Sequence, residues 1–250
     1  MSSPTLPPGT RPEGTQGEEE AARSVQEMFS CIAPRYDLLN HLLSLWLDRC
    51  WRRRTARTLA ARLAPAGSRA LDLCCGTGDL ALELARVSAG TVVGGDFAHP
   101  MLVRAREKAA RQGLPLSLVE ADALRLPFCD ESFDVVAAAF GFRNLANYQR
   151  GLEEIRRVLK WGGEAAILEF VLPQRGAFAA LYGFYFRRVL PWIGRVVSGV
   201  PGPYSYLPSS LENFPDCDAF AAWMATAGFH SVRYERWTLG TVALYRATKA

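Results

Sequence analysis

The residues best suited to chemistry lie in a glycine-rich segment and in an acid that follows it. The segment Leu71–Leu80 reads LDLCCGTGDL, an apolar strand end followed by a turn. Gly76 and Gly78 have no Cβ, so the backbone can turn sharply there and approach a ligand closely. A second apolar run, Thr91–Gly95, ends at Asp96. A carboxylate at that point can accept hydrogen bonds from both hydroxyls of a ribose, so the pattern predicts a nucleoside site.

Two kinds of nucleoside ligand fit this pattern. Residues 76–81 read GTGDLA and match the loose dinucleotide-binding turn, so a nicotinamide enzyme is one alternative. Asp72 favours the other, because its charge would repel a pyrophosphate and attract the ammonium and sulfonium of S-adenosylmethionine. We therefore predict that this methyl donor is bound by Asp72, Gly76, Thr77, Gly78, Asp96 and Phe97.

Alternating strands and helices are predicted to position these residues. The predicted strands are Ala70–Leu73, Thr91–Gly95, Leu116–Val119, Phe133–Phe140 and Gly163–Phe170, and the predicted helices between them are Asp79–Val87, Pro100–Arg111 and Asn147–Leu159. This alternation is typical of an α/β fold with a parallel, doubly wound sheet. Two further alternating segments, Ser231–Arg236 and Thr241–Thr248, are expected to pair as an antiparallel edge.

Ligands of such sheets bind at the carboxyl ends of the strands, and two more strand ends carry unusual residues. Asp122 and Ala123 follow the third strand, where the carboxylate could accept the adenine amino group and the backbone could complete recognition of the base. A surface turn is the alternative for Asp122. The fourth strand ends in a run that includes Arg143 and Asn144, which indicates a chain leaving the core for a polar site.

The N-terminal part reads as an addition to this sheet. Residues 1–22 are rich in Pro, Gly, Thr and Glu and are predicted to be a disordered tail. Residues 23–66 are predicted to form a helical cap, and residues 67–250 to form the α/β domain.

Within the cap, Tyr36, Asp37 and Asn40 lie one helical turn apart and can share a face. Capping and packing at a helix start would explain the same spacing. The helix predicted at Asp48–Leu63 is basic, and its arginines, including Arg52, are expected to be exposed.

Composition limits the class of protein. The chain has 250 residues, of which 49% are hydrophobic and 22% charged, as in a soluble globular protein. A net charge of +4 is too small to argue for nucleic acid, and no cysteine spacing indicates a metal site. Reduced cysteines and the lack of an apolar run of about 18–20 residues predict a cytoplasmic protein.

The stretch Ala177–Val197 is densely aromatic and includes Phe184, Tyr185 and Trp192. Packing against the sheet would explain one apolar stripe. The density of aromatic residues exceeds what one helix face needs, and the stretch lies between the fifth strand and the last hairpin. We therefore expect an aromatic substrate lid, inserted at about residues 174–215.

From about Arg23 onwards the chain resembles the C-methyltransferases of menaquinone and ubiquinone biosynthesis. The segments that carry the resemblance include Tyr36–Asp37, Trp51–Arg52, Leu71–Asp79, Gly95–Phe97, Ala121–Ala123, Phe140–Asn144, Glu169–Phe170, Tyr206–Ser210 and Gly240–Leu244. The glycine-rich loop is common to many methyltransferases, whereas FGFRN at Phe140–Asn144 and YLPSS at Tyr206–Ser210 are far more selective.

The resemblance implies a class I, Rossmann-like methyltransferase fold with a mostly parallel, seven-stranded sheet. It implies that Thr77, Asp96, Asp122 and Ala123 contact S-adenosylmethionine. Ala139 stands where relatives often carry a serine that touches the donor.

The activity implied is methylation of the ring of a prenylated quinol, demethylmenaquinol to menaquinol. Loss of a phenolic proton makes the adjacent ring carbon a better nucleophile. Arg143 could stabilise the phenolate by charge and Asn144 by a hydrogen bond, with a loop-anchoring salt bridge as the alternative for Arg143. Since Arg143 stays protonated, the proton acceptor would be water, Tyr36 or Asp37.

Three alternatives to this activity stay open. The ring could be the benzoquinol precursor of ubiquinone, or the substrate a small phenol, a sterol or a nucleobase. The chain could also be a non-catalytic subunit of a quinone-synthesis complex.

The expected partners follow from the lid and the net charge. An apolar lid rimmed by arginines suits a quinol drawn from an anionic membrane, so we expect transient contact with the inner face of the cell membrane. We expect no nucleic-acid partner. The sequence leaves a homodimer open.

Overall fold

The computed structural model of the chain describes residues 9–173, 183, 210–211 and 213–250. Its helices are α1 (Glu18–Ile32), α2 (Tyr36–Leu43), α3 (Leu47–Leu63), α4 (Asp79–Val87), α5 (His99–Gln112), α6 (Tyr148–Val158) and α7 (Cys217–Thr226). Its strands are β1 (Arg69–Leu73), β2 (Thr91–Asp96), β3 (Ser117–Glu120), β4 (Phe133–Ala139), β5 (Leu159–Phe170), β6 (His230–Trp237) and β7 (Val242–Thr248).

The strands form one seven-stranded sheet in the order β3-β2-β1-β4-β5-β7-β6. β1 to β5 pair in parallel, and β7 is antiparallel to both β5 and β6. This confirms the predicted α/β fold with a mostly parallel sheet and an antiparallel edge. The strand order reverses between β1 and β4, and ligands of such sheets bind beside this point.

Apolar strands account for the layered core. Successive side chains of a strand point to opposite faces, so Val135 and Ala137 of β4 pack in the cluster that contains α3 and α4. Val136 and Ala138 of the same strand pack in the cluster that contains α6 and α7. The sheet is thus covered on both faces, which leaves its edge of strand ends available for a ligand.

The N terminus differs from the sequence prediction, because α1 begins at Glu18, inside the stretch 1–22 expected to be disordered. Acidic residues occupy its first turn, where they interact favourably with the helix dipole, and Ala21 is fully buried. The Thr10 amide also donates a hydrogen bond to the Leu145 carbonyl, at 2.8 Å. Composition does not reveal this contact, because its partners lie far apart in the sequence.

The predicted lid lies almost entirely outside the described residues. This applies to Phe184, Tyr185 and Trp192, and the lid and the domain boundaries stay predictions. In the described residues, no helix has both the length and the apolar character required to cross a bilayer.

Candidate active site

Two adjoining cavities open at the carboxyl ends of the strands. The larger has an empty volume of about 670 Å³, and the predicted site residues that line it are Tyr36, Gly76, Asp96, Phe97, Asp122, Ala123 and Asn144. The smaller, of about 280 Å³, is polar and is lined by Arg52, Asp72, Thr77 and Asp79 among others. The residues common to both cavities are Tyr36, Cys74, Gly76 and Ala139. Asp37, Gly78 and Arg143 line neither cavity.

The glycine-rich turn has the conformation that its sequence predicts. Gly76 and Gly78 have φ angles of +54° and +84°, in the left-handed region that favours glycine. A Cβ on Gly78 would also come within 3.0 Å of the Ala105 Cβ. Gly78 is the N-cap of α4, so it contributes to the site by shaping the turn rather than by lining a cavity.

Asp96 is held in a position suited to a ribose. Its Oδ2 accepts a hydrogen bond from the Gly76 amide at 2.8 Å, and its Oδ1 accepts one from the Ala98 amide at 2.9 Å. Burial raises the pKa of Asp96 to about 6, and the two amides limit this increase. Each carboxylate oxygen can accept a further hydrogen bond, so Asp96 fits the diol of the donor's ribose.

Asp72 and Arg52 fit the amino-acid end of the donor. Asp72 is only 1% exposed, and neither of its carboxylate oxygens has a hydrogen-bond partner among the described residues. A buried carboxylate in this state suits an ammonium group, and the Arg52 guanidinium in the same cavity suits a carboxylate. The residues present therefore fit S-adenosylmethionine, with Asp122 and Ala123 in the larger cavity left for the adenine.

Binding of the donor is expected to release a proton from Asp72. Burial raises the pKa of Asp72 to about 8, so it is mostly protonated at neutral pH without the donor. The donor ammonium would lower this pKa, so affinity should rise with pH and level off above about pH 8. The donor-free fold should lose stability as the pH rises from 3.8, the ordinary pKa of the group, to about 8, because the folded state holds the proton more tightly than the unfolded state.

Calorimetry in buffers of different ionisation enthalpy measures this release. Asp72→Asn cannot release a proton, so this variant should lose most of the effect near neutral pH. The same proton release in Asp72→Asn and in the wild type would contradict the assignment.

Arg52 is buried, with 6% exposure, whereas the basic pattern of α3 predicts that it is exposed. It forms an ion pair with Asp48, one turn earlier on α3, and its guanidinium lies 5.0 Å from the centre of the Phe140 ring. Helical spacing could have found it, since the buried residues of α3 recur at intervals of three or four: Asp48, Trp51, Arg52, Thr55, Ala56, Leu59 and Leu63.

Asp37 and Thr77 meet a residue that sequence analysis missed. The Thr77 hydroxyl donates a hydrogen bond to Asp37, and the Lys108 ammonium lies 2.9 Å from Asp37 Oδ2. Lys108 also reaches the Thr77 hydroxyl at 3.0 Å and the Asp79 carboxylate at 2.5 Å. These contacts join α2 of the cap to the glycine-rich turn and to α5. They favour a positioning role for Asp37, and its role as proton acceptor stays a prediction.

Tyr36 is the predicted catalytic residue that lines both cavities. Burial raises the pKa of its phenol, which makes it a better hydrogen-bond donor in neutral form than a base. Its ring meets that of Phe29 edge to face at 5.9 Å between centres, so α1 and α2 hold it together over the cavity.

Arg143 forms the salt bridge that sequence analysis gave as its alternative role. It is 5% exposed and pairs with Glu169, which is 0% exposed at the end of β5. The guanidinium also donates a hydrogen bond to the Phe140 carbonyl at 2.6 Å, and the Arg143 amide donates to Glu169 Oε2 at 3.2 Å. Glu169 thereby fixes the turn that presents Asn144 to the larger cavity.

Known proteins similar to this chain identify its family. A family model described as the ubiE/COQ5 methyltransferase family matches residues 15–249. The chain is 55% identical over 219 residues to demethylmenaquinone methyltransferase of Thermus thermophilus, covering 87% of this chain and 98% of that protein. It is 47% identical over 233 residues to the protein of the same name from Deinococcus radiodurans, covering 93% and 95%.

A further relative and the solved structures complete the comparison. A ubiquinone/menaquinone biosynthesis C-methyltransferase of Geobacter sulfurreducens is 43% identical over 236 residues, covering 92% of this chain and 90% of that protein. A SAM-dependent methyltransferase of Aquifex aeolicus has the same fold, with a TM-score of 0.57, 20% identity and coverage of 78% and 89%. The resemblance found in the sequence is confirmed: the chain belongs to the ubiE/COQ5 methyltransferase family and is an S-adenosylmethionine-dependent C-methyltransferase of quinone biosynthesis.

Proposed function

We propose that this enzyme transfers the methyl group of S-adenosylmethionine to a ring carbon of demethylmenaquinol, which yields menaquinol. The observation that carries the proposal is the pair of joined cavities, one polar and one largely apolar. The polar cavity suits the amino-acid end of the donor. The larger one offers apolar walls to a prenylated ring, including Phe29, Met101, Phe140 and Leu145. The names of the Thermus and Deinococcus relatives support the naphthoquinol as substrate.

The residues common to both cavities would surround the reacting atoms. The sulfonium joins the amino-acid end of the donor to its nucleoside, so it would lie where the cavities meet, beside Tyr36, Cys74 and Ala139. The ring carbon supplies the electron pair for the new C–C bond, and the electron pair of the broken S–C bond stays on sulfur. Holding both reactants in this geometry would lower the activation barrier by about 7 kcal/mol or more.

Asn144 and Arg143 would act on the phenolate. Asn144 lines the larger cavity and can donate a hydrogen bond to the oxygen. Arg143 lies just before it and supplies positive charge that the Glu169 pair partly offsets. Water, Tyr36 or Asp37 would accept the phenolic proton when the phenolate forms, and the ring proton lost after methylation would return to the oxygen and restore the phenol. Tyr36 lines the cavity but its raised pKa makes it a poor base, and Asp37 is paired with Lys108, so these contacts favour water as the acceptor.

A prenylated quinol resides in a bilayer, so the enzyme would contact the membrane surface while it takes up substrate. We infer that this contact is transient and peripheral. A homodimer stays a prediction that light scattering on the purified enzyme tests.

The proposed substrate is tested with labelled donor and two reduced quinones of equal prenyl length, one naphthoquinol and one benzoquinol. We expect kcat/KM to be at least about 10-fold higher for demethylmenaquinol, a preference of roughly 1.4 kcal/mol. A higher value for the benzoquinol would assign the enzyme to ubiquinone synthesis. Donor binding without turnover of either quinol would favour a non-catalytic subunit.

A further inference from the structure

Four large apolar side chains are exposed in the turn between α2 and α3 and on these two adjoining helices. Their exposed fractions are 57% for Leu38, 73% for Leu45, 48% for Trp46 and 37% for Leu47. We call these four residues the apolar tip. Single exposed apolar residues are common on protein surfaces, whereas three consecutive ones at a chain reversal are typical of an interaction site.

The backbone of the turn holds these side chains outward. Leu45 and Trp46 have φ angles of +52° and +61°, a conformation that bulky residues rarely adopt. The Trp46 amide donates a hydrogen bond to the His41 carbonyl at 2.7 Å. Such strain persists only where surrounding contacts enforce it, and it is concentrated at functional sites.

Asp48 supplies the contacts that enforce the turn. It is 2% exposed, and its carboxylate accepts a hydrogen bond from the Ser44 hydroxyl at 2.6 Å and lies 2.9 Å from His41 Nδ1. It also pairs with Arg52. The apolar tip is therefore a preformed projection anchored to the donor site through Arg52.

The apolar tip lies at the edge of the sheet that carries the cavities. Near the start of α3, the Trp51 ring packs at 5.9 Å from Phe140 and 6.0 Å from Phe170, at the carboxyl ends of β4 and β5. At the other end of α3, the Leu63 carbonyl accepts a hydrogen bond from the Ala89 amide, just before β2 begins. The start of α3 and the preceding turn thus project beyond the ligand-binding edge.

Cations lie next to the apolar tip. Arg49 and Arg53 are exposed and one helical turn apart on α3, two and six residues after Leu47. Leucines and a tryptophan flanked by arginines match the two layers of a bilayer surface, with acyl chains below anionic headgroups. A protein partner would not require this order of apolar and basic groups.

We propose that the apolar tip inserts into the interface of an anionic membrane and brings the mouth of the larger cavity to the lipid surface. This inference rests on the proposed function, since a prenylated substrate gives the contact its purpose. It assigns the contact to the apolar tip, whereas sequence analysis expected it at the aromatic lid. Tyr36, which lines both cavities, belongs to the same short helix as Leu38, so a tip in the interface would bring the α2 wall of the cavities to the lipid surface.

The test measures binding of the intact, donor-loaded enzyme to vesicles of phosphatidylcholine with and without phosphatidylglycerol. The double variant Leu45→Asn, Trp46→Asn, called the tip variant, removes two apolar side chains. It replaces them with asparagine, which tolerates the positive φ of both positions. We expect it to bind anionic vesicles at least about 10-fold more weakly. Trp161→Asn is the matched control, because Trp161 is 62% exposed near the start of β5, at the opposite end of the sheet. This control should bind like the wild type.

Three further readouts distinguish the outcomes. The tip variant should raise KM for a long-tailed quinol in vesicles and leave kcat/KM for a tail-less quinol unchanged. Arg49→Gln with Arg53→Gln should weaken binding to anionic vesicles only. Quenching of Trp46 fluorescence by brominated lipid, lost in the tip variant, would support insertion. Vesicle binding is measured without turnover. A loss of binding in the tip variant would therefore support membrane insertion of the apolar tip even if neither quinol is methylated.

Other results would overturn the proposal. Unchanged vesicle binding by the tip variant would exclude a lipid bilayer as the binding partner of the apolar tip. A dimer that the tip variant converts to monomer would show that a second copy covers the apolar tip. A clearly lower melting temperature with vesicle binding retained would show that the tip packs against another part of this chain.

Discussion

Arg143→Met is expected to lower kcat by about 10²–10³-fold while donor binding persists, if the charge of Arg143 stabilises the phenolate. The lost interaction would be made mainly in the transition state, so kcat and kcat/KM should fall together. Raising the pH should restore part of the rate, because a phenol that water has already deprotonated needs less help. Arg143→Lys should give an intermediate rate, since it keeps the charge and loses the planar guanidinium.

The buried pair with Glu169 adds a second expected effect. Arg143→Met leaves the Glu169 carboxylate buried without its cation, which should cost about 3–5 kcal/mol of unfolding free energy. Adding Glu169→Gln removes that uncompensated charge and should restore much of the stability. Thermal and urea unfolding of the single and double variants measures this difference.

The double variant separates the two roles of Arg143. A purely loop-anchoring arginine predicts that Arg143→Met with Glu169→Gln regains kcat along with stability. A catalytic arginine predicts that stability returns and kcat stays low. Glu169→Gln alone is the control, since it keeps the arginine and tests whether the turn that presents Asn144 tolerates loss of the ion pair.

Asp96→Ala is expected to weaken binding of S-adenosylmethionine by about 10–150-fold, the equivalent of 1.5–3 kcal/mol for a charged hydrogen-bond acceptor. The carboxylate would hold the ribose diol, and it also accepts the Gly76 and Ala98 amides, so its loss removes the ligand contact and loosens the turn. Asp96→Asn keeps the shape and should lose less affinity than Asp96→Ala. Calorimetric titration measures each affinity.

Glu120→Gln provides the matched control for Asp96. Glu120 is the register partner of Asp96 on the neighbouring strand, is exposed, and lies 2.9 Å from His99 rather than in a cavity. Its replacement should leave donor affinity unchanged. Near wild-type affinity in Asp96→Ala, or an equal loss in Glu120→Gln, would remove the ribose assignment.

Local pattern in the sequence was enough to predict the frame of the site. The strand that ends before Gly76 and the one that ends at Asp96 can be read from runs of apolar residues and from glycine punctuation, which depend on neighbours a few residues away. Because parallel strands align their carboxyl ends, the same reading placed Asp122 and Asn144 at the common edge, where both now line the larger cavity.

Tertiary structure decided which polar side chains meet. Arg52 lines the polar cavity, Lys108 joins Asp37 to Thr77, and Glu169 pairs with Arg143. The residues that meet come from different elements, so no short-range spacing encodes their contacts; helical spacing indicates only that Arg52 is buried. Tertiary contacts also decide the position of Leu45 and Trp46. Their apolar side chains favour burial, but the hydrogen bonds around Asp48 hold the turn at the surface. Periodicity reports the preference of each segment, whereas burial and pairing depend on what the rest of the fold places opposite it.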